Sequence, residues 1–141
     1  MQKSDYRVMP NYAAQIVPKG PLMIYGDGQQ TRTFCYIVDA MIGFFRVLLK
    51  GVPGEVYNIG NPKPEVTMNG LAAAFAKISP ISFNVQTTEY PDSYPADEPM
   101  RRCPDIRKAS LQLDYDPRVN LEEGIRRFLE WALPRYRTED D

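Results

Sequence analysis

The sequence predicts a mixed α/β or α+β domain, and three observations carry that expectation. Short apolar runs with β-branched residues alternate with stretches of helical spacing. Hydrophobic residues make up 43% of the 141, enough to build a core. Thirteen prolines break the chain into many short elements and ordered loops.

In chain order, Val8, Met9, Tyr12, Ile16 and Val17 fall at helical spacing and predict a helix over 8–17, stopped by Pro18-Lys19-Gly20-Pro21. Residues 22–25 predict a short strand and Gly26-Asp27-Gly28 a tight turn. Residues 34–38 read as a second strand. Asp39 then suits the N-cap of a helix over 40–50, with Gly51 at C′. That helix is apolar nearly all round, which predicts burial between layers.

Residues 55–59 predict a strand running into Gly60-Asn61-Pro62. Thr67 suits the cap of a helix over 68–77, whose first turn Asn69-Gly70 weakens. Residues 83–88 predict a strand with alternating faces, and 90–99 a proline-rich loop. Asp105 would cap a short helix through Leu113. Asn120-Leu121-Glu122-Glu123 resembles a capping box opening a last helix that Pro134 would end. The expected domain is 1–137, with 138–141 a frayed tail.

Composition narrows the function. Lys and Arg number 17 against 18 Asp and Glu, a net charge of −1, which argues against nucleic-acid binding. No apolar run reaches membrane-spanning length and the first residues lack a signal-peptide core, so a cytoplasmic protein is expected. The sequence has no histidine, so a histidine base, a histidine metal ligand and a Ser-His or Cys-His system are all excluded. Cys35 and Cys103 read as two thiols without zinc-binding partners. Gly26-Asp27-Gly28 leads into Gln29-Gln30-Thr31-Arg32, without a third glycine or a helix, and is not a dinucleotide fingerprint.

A few side chains could hold a ligand. Arg32 follows the turn, with Gln30 beside it, and a guanidinium so placed can fork onto a diphosphate. A surface ion pair is the plainer reading. Tyr25 could stack on a base or sit in the core. Arg101 and Arg102 stand in a stiff segment between Pro99 and Pro104, as ligand donors or as solvated charge. Asn58, at a strand end, needs its amide satisfied by backbone or by ligand. Asp92, Asp97 and Glu98 make an acidic loop whose spacing fits no calcium site.

Seven motifs in register resemble the second half of the extended short-chain dehydrogenases, the NAD-dependent nucleotide-sugar epimerases and dehydratases. They are Asn11-Tyr12, Ile24-Tyr25-Gly26, Gly28-Gln29-Gln30-Thr31-Arg32, Tyr36-Ile37-Val38-Asp39, Tyr57-Asn58-Ile59-Gly60-Asn61, Arg102-Cys103-Pro104-Asp105-Ile106 and Leu121-Glu122-Glu123-Gly124-Ile125. Within the family the likeness is greatest to UDP-glucuronate decarboxylases and dTDP-glucose 4,6-dehydratases. It implies the small mixed α/β substrate-binding domain of that fold, without the Rossmann cofactor domain. Substrate-binding roles then fall to Asn11, Tyr25, Gln30, Arg32, Asn58 and Arg102, with Asp39 as a structural cap. Residues 55–59 would lie at the edge of the cofactor domain's sheet.

Val38 in place of an aspartate, Asn69-Gly70, and Asp114-Tyr115 in place of Gly-Trp depart from the family pattern. So does the lack of a Gly-x-x-Gly-x-x-Gly turn and of any Tyr-x-x-x-Lys pair, the family's cofactor loop and catalytic pair. The resemblance therefore implies a fragment or one part of a split enzyme that binds a UDP- or dTDP-sugar. No catalytic residue and no NAD site would lie in this chain. An N-terminal Rossmann half, in cis or in trans, would supply NAD and chemistry, and a homodimer is allowed. A non-enzymatic nucleotide-binding module and a structural remnant are the alternatives.

Overall fold

The computed structural model describes residues 7–90 and 99–137. The acidic-loop residues Asp92, Asp97 and Glu98 and the tail at 138–141 lie outside them. The elements run α1 (Val8–Ile16), β1 (Leu22–Tyr25), β2 (Thr31–Arg32), α2 (Ile37–Lys50), β3 (Val66–Thr67), α3 (Met68–Ile78), β4 (Val85–Thr88), β5 (Arg101–Arg102), α4 (Arg107–Leu113) and α5 (Leu121–Arg137). The fold is mixed α/β, as the alternation of elements predicts.

β1 and β4 form a parallel ribbon, with Leu22 opposite Val85. Leu22 and Ile24 point inward from β1. They meet Tyr12, Ala13 and Ile16 of α1, Leu71, Ala72 and Phe75 of α3, and Ile125 and Leu129 of α5 in the main core. Tyr12 and Phe75 stack edge-on at 5.5 Å between ring centres. Helical spacing brings these residues to one face of each helix, so burial of apolar area is the force that assembles the three helices on the ribbon. A smaller cluster of Ala109, Leu113 and Tyr115 packs with Val47, Tyr57, Ile59 and Ile106.

Two helix starts follow their expected chemistry. Thr67 Oγ1 accepts a bond from Gly70 N at 3.0 Å. Asn120 Oδ1 accepts from Glu123 N at 2.9 Å. Asp105 differs from its expectation: the N-cap of α4 is Ile106, without a side-chain cap bond, and Asp105, two residues before the helix, accepts from Arg107 N at 3.0 Å in a local turn. Asp114 ends α4 in the left-handed conformation at φ 53°, and its carboxylate meets Lys50 Nζ at 3.0 Å.

Several elements differ from their sequence-based expectations. Residues 34–38 form no strand: α2 begins at Ile37, so its start overrides the β preference of Ile37 and Val38. Asp39 is therefore in the first turn, not at the N-cap. Its buried carboxylate accepts bonds from Arg118 N at 3.1 Å and Val119 N at 2.8 Å, tying the approach to α5 onto α2. Gly51 ends α2 with an extended backbone, not a left-handed one. A Cβ there would lie 2.4 Å from Val47 O, so close approach is what suits glycine.

Residues 55–59 are an extended loop with no ladder among the described residues. β4 shows no alternation of faces, because Val85, Gln86 and Thr87 are all exposed on an edge. Pro134 lies inside α5, which continues to Arg137. Burial of Leu133 and Tyr136 holds that last turn despite the N–H that proline lacks.

The largest difference concerns α2. Only Asp39 and Gly43 of this helix are buried. Gly43 lies so near Ile59 that a Cβ would come within 2.4 Å of its side chain. Phe44, Phe45, Leu48 and Leu49 are exposed, with Leu48 at 77% and Leu49 at 79%. The expected burial of the helix is not met within this chain.

An apolar face of that kind promotes association. The isolated chain should sediment as a concentration-dependent mixture; a compact monomer at every concentration would contradict this. Asp39→Ala should cost about 1–3 kcal/mol in urea unfolding, since the backbone amides of Arg118 and Val119 lose their buried acceptor.

Candidate functional site

The site is built on the three-stranded sheet β3-β2-β5. β2 runs antiparallel to β3 and parallel to β5. Thr31 lies opposite Arg101, and Arg32 opposite Arg102. Side chains alternate along a strand, so register partners share a face and sequence neighbours do not. One face thus carries Arg32 and Arg102, and the other carries Thr31 and Arg101.

The second face is closed by Glu65. Its carboxylate takes Arg101 Nε at 2.8 Å and Nη2 at 2.7 Å, a two-pronged pair, together with Thr31 Oγ1 at 2.6 Å. Arg101 first, then Thr31, hold the Glu65 carboxyl below its ordinary range. On the first face, Arg32 Nη1 donates to Thr31 O at 2.7 Å and to Met100 O at 3.4 Å, which fixes its direction along the strands.

The turn before β2 is fixed from two sides. Gly26 and Gly28 have φ of 69° and 70°, a conformation glycine adopts without strain. Asn69 Nδ2 donates to Asp27 O at 2.9 Å, and Asn69 N to Gly28 O at 3.1 Å. The Asn69-Gly70 pair, which departs from the family pattern, thus has a physical role: Asn69 ties α3 to the turn. Gln30 is buried, and its Nε2 donates to Tyr25 O at 3.1 Å and Tyr90 OH at 3.0 Å. Its Oε1 is buried without a hydrogen-bond partner. The Tyr25 and Tyr90 rings lie 6.0 Å apart at 36°.

Of the residues named from sequence, Tyr25, Gln30, Arg32 and Arg102 come together around β2. Asn58 is exposed on a loop, not buried in a strand, and its Nδ2 donates to Asp105 O at 3.0 Å. The backbone reading of its amide is the one realised. It braces the segment that leaves β5, where Arg107 holds the Asp105 carboxyl at about 2. Asn11, on α1, accepts a bond from Gln15 Nε2. Gln15 Oε1 in turn accepts from Met23 N at 2.6 Å, so Asn11 is linked to β1 and not to the arginine pair.

Sequence reasoning missed Glu65, Tyr90 and the role of Asn69. Glu65 and Tyr90 are 36 and 60 residues from their partners Arg101 and Gln30, and no local spacing signals such pairs. Cys35 Sγ lies 3.6 Å from Tyr115 OH, and burial raises the thiol. Among the described residues no group of three His, Cys, Asp or Glu could hold a metal, and no helix is long and apolar enough to cross a membrane.

Residues 1–60 match the model of the NAD dependent epimerase/dehydratase family. The chain is 36% identical to UDP-glucuronic acid decarboxylase 1 of Arabidopsis thaliana over 97% of its length, covering 30% of that protein. It is 33% identical to the UDP-glucuronic acid 4-epimerase of Bacillus cereus, solved with UDP-glucuronic acid and NAD. That match has a TM-score of 0.76 and covers 96% of this chain and 41% of the other. The epimerase Mth375 of Methanothermobacter thermautotrophicus matches at 27% identity with a TM-score of 0.83, over 95% and 39% of the two chains. The chain spans about a third of the length of the curated relatives it matches.

Gly28→Ala should cost about 1–3 kcal/mol by thermal or urea unfolding. It forces a side chain into a positive-φ position and 2.4 Å from Asn69 Oδ1. Unchanged stability would mean that the turn is not held as described.

Proposed function

We propose, for a chain related in sequence and fold to the NAD dependent epimerase/dehydratase family, that it grips the nucleoside diphosphate of a nucleotide sugar. The observation that carries this reading is the pairing of Arg32 with Arg102 on one face of adjacent parallel strands. Two planar guanidinium groups side by side can fork onto the oxygens of two linked phosphates. Gln30 immediately precedes β2, and its amide reaches back to Tyr25 O. The Tyr25 ring suits a base or ribose face. Asn58 and Asn11 take supporting places, the first behind β5 and the second on α1. The Bacillus cereus relative holds UDP-glucuronic acid, which makes a UDP-sugar the first ligand to test.

In the complete enzyme NAD would take and return a hydride at the sugar. The residues of this chain do not fit that cofactor. The Gly26-Asp27-Gly28 turn leads into a strand, not a helix start, and Asn69 and Tyr90 occupy the space beside its glycines. No Tyr-x-x-x-Lys pair is present to act as base. The redox step is therefore assigned to a cofactor-binding part of the enzyme, which would also cover the apolar face of α2. A nucleotide-binding module without chemistry is the second reading, favoured by the same mismatch with NAD.

Two experiments test this. Titration of UDP into the wild type, Arg32→Ala and Arg102→Ala by calorimetry should show about ten-fold or greater weakening in each variant, since charged hydrogen bonds contribute about 1.5–3 kcal/mol. Arg32→Lys should restore only part, because an ammonium lacks the planar fork. Equal affinities would remove both arginines from the site. Incubated with NAD and UDP-glucuronate, the chain alone should give no product. Turnover of about 1 per second or more would overturn the division of labour.

A further inference from the structure

We propose that Glu65, with Arg101, is a positioning pair that sets the diphosphate grip without touching the ligand. This rests on the reading of Arg32 and Arg102 given above, and adds to it the means by which the two are aligned.

β2, β3 and β5 contribute two residues each, and ladders this short hold register weakly by themselves. β5 is joined to β2 by Thr31 N donating to Met100 O at 2.8 Å. What adds a second, directional link is Glu65. It precedes β3, and its carboxylate holds Thr31 of β2 and both prongs of Arg101 of β5. One side chain thus touches the other two strands on the face opposite the arginine pair.

Arg101 and Arg102 are consecutive, so whatever fixes Arg101 fixes where Arg102 emerges on the other side. A slip of one residue would exchange the two arginines between faces. The tandem arginines are then not duplicates: Arg101 is committed to the sheet, and Arg102 to the ligand face. The pair is exposed, so its net contribution to stability is small, while its geometric effect on a two-residue strand is large.

The test is a titration of the full chain with UDP and with uridine, which lacks the diphosphate. E65Q should weaken UDP binding about five-fold or more, an ordinary size for coupled neighbours, and leave uridine binding within about two-fold. In the R102A background, E65Q should have no further effect on UDP. Exchanging the charges (E65R with R101E) should recover part of the lost affinity. Unchanged UDP affinity in E65Q would overturn the proposal. Equal loss of UDP and uridine binding with a lowered melting temperature would also overturn it, since that is the mark of a merely structural residue. Failure of the wild type to bind UDP would instead remove the reading of the site, and this pair with it.

Discussion

The register between β2 and β5 is the constraint on which the site depends. Two residues on each strand decide which side chains meet. The period of two along a strand turns one dipeptide, Arg101-Arg102, into two different devices. Arg101 meets the Glu65 carboxylate on one face, and Arg102 lies on the face it shares with Arg32. The segments that flank these strands are tied down as well: Asn69 of α3 bonds the turn before β2, and Asn58 bonds Asp105 O beyond β5.

The site is anchored to a core that is otherwise conventional. β1 delivers Leu22 and Ile24 to the apolar interior and ends at Tyr25, next to Gln30. α3 does the same from the other side: Leu71 and Phe75 are buried, while its first turn supplies Asn69. The same elements that build the core therefore place the polar groups.

Much of this was legible in the sequence because it is local. The spacing over 8–17 and the Thr67 and Asn120 caps follow from rules that reach four residues or fewer. The start of α2 was misread because Ile37 and Val38 favour strand locally, while the helix and the distant amides of Arg118 and Val119 settle where Asp39 goes. Pro134 was misread because the packing of Tyr136, a tertiary matter, outweighs a local stop signal. Residues 55–59 carry a strand pattern but make no ladder here, which is the difference between a propensity and a partner. At the site, Arg32 and Arg102 stood out through their motifs but their shared face is given only by the β2–β5 register, whereas Glu65 gave no sign, since its place is set only when three strands meet.

The exposed side of α2 also has a practical meaning. Gly43 lets Ile59 press against the backbone on the inner side, so the helix is fixed to the chain by its thinnest edge. Leu48 and Leu49 on the outer side touch little of this chain. Glutamate or lysine at those two positions would give a soluble, crystallisable form of the domain with its interior unaltered. The same replacements would remove the apolar surface through which copies of the chain associate, so one pair of residues separates handling of the isolated domain from its self-association.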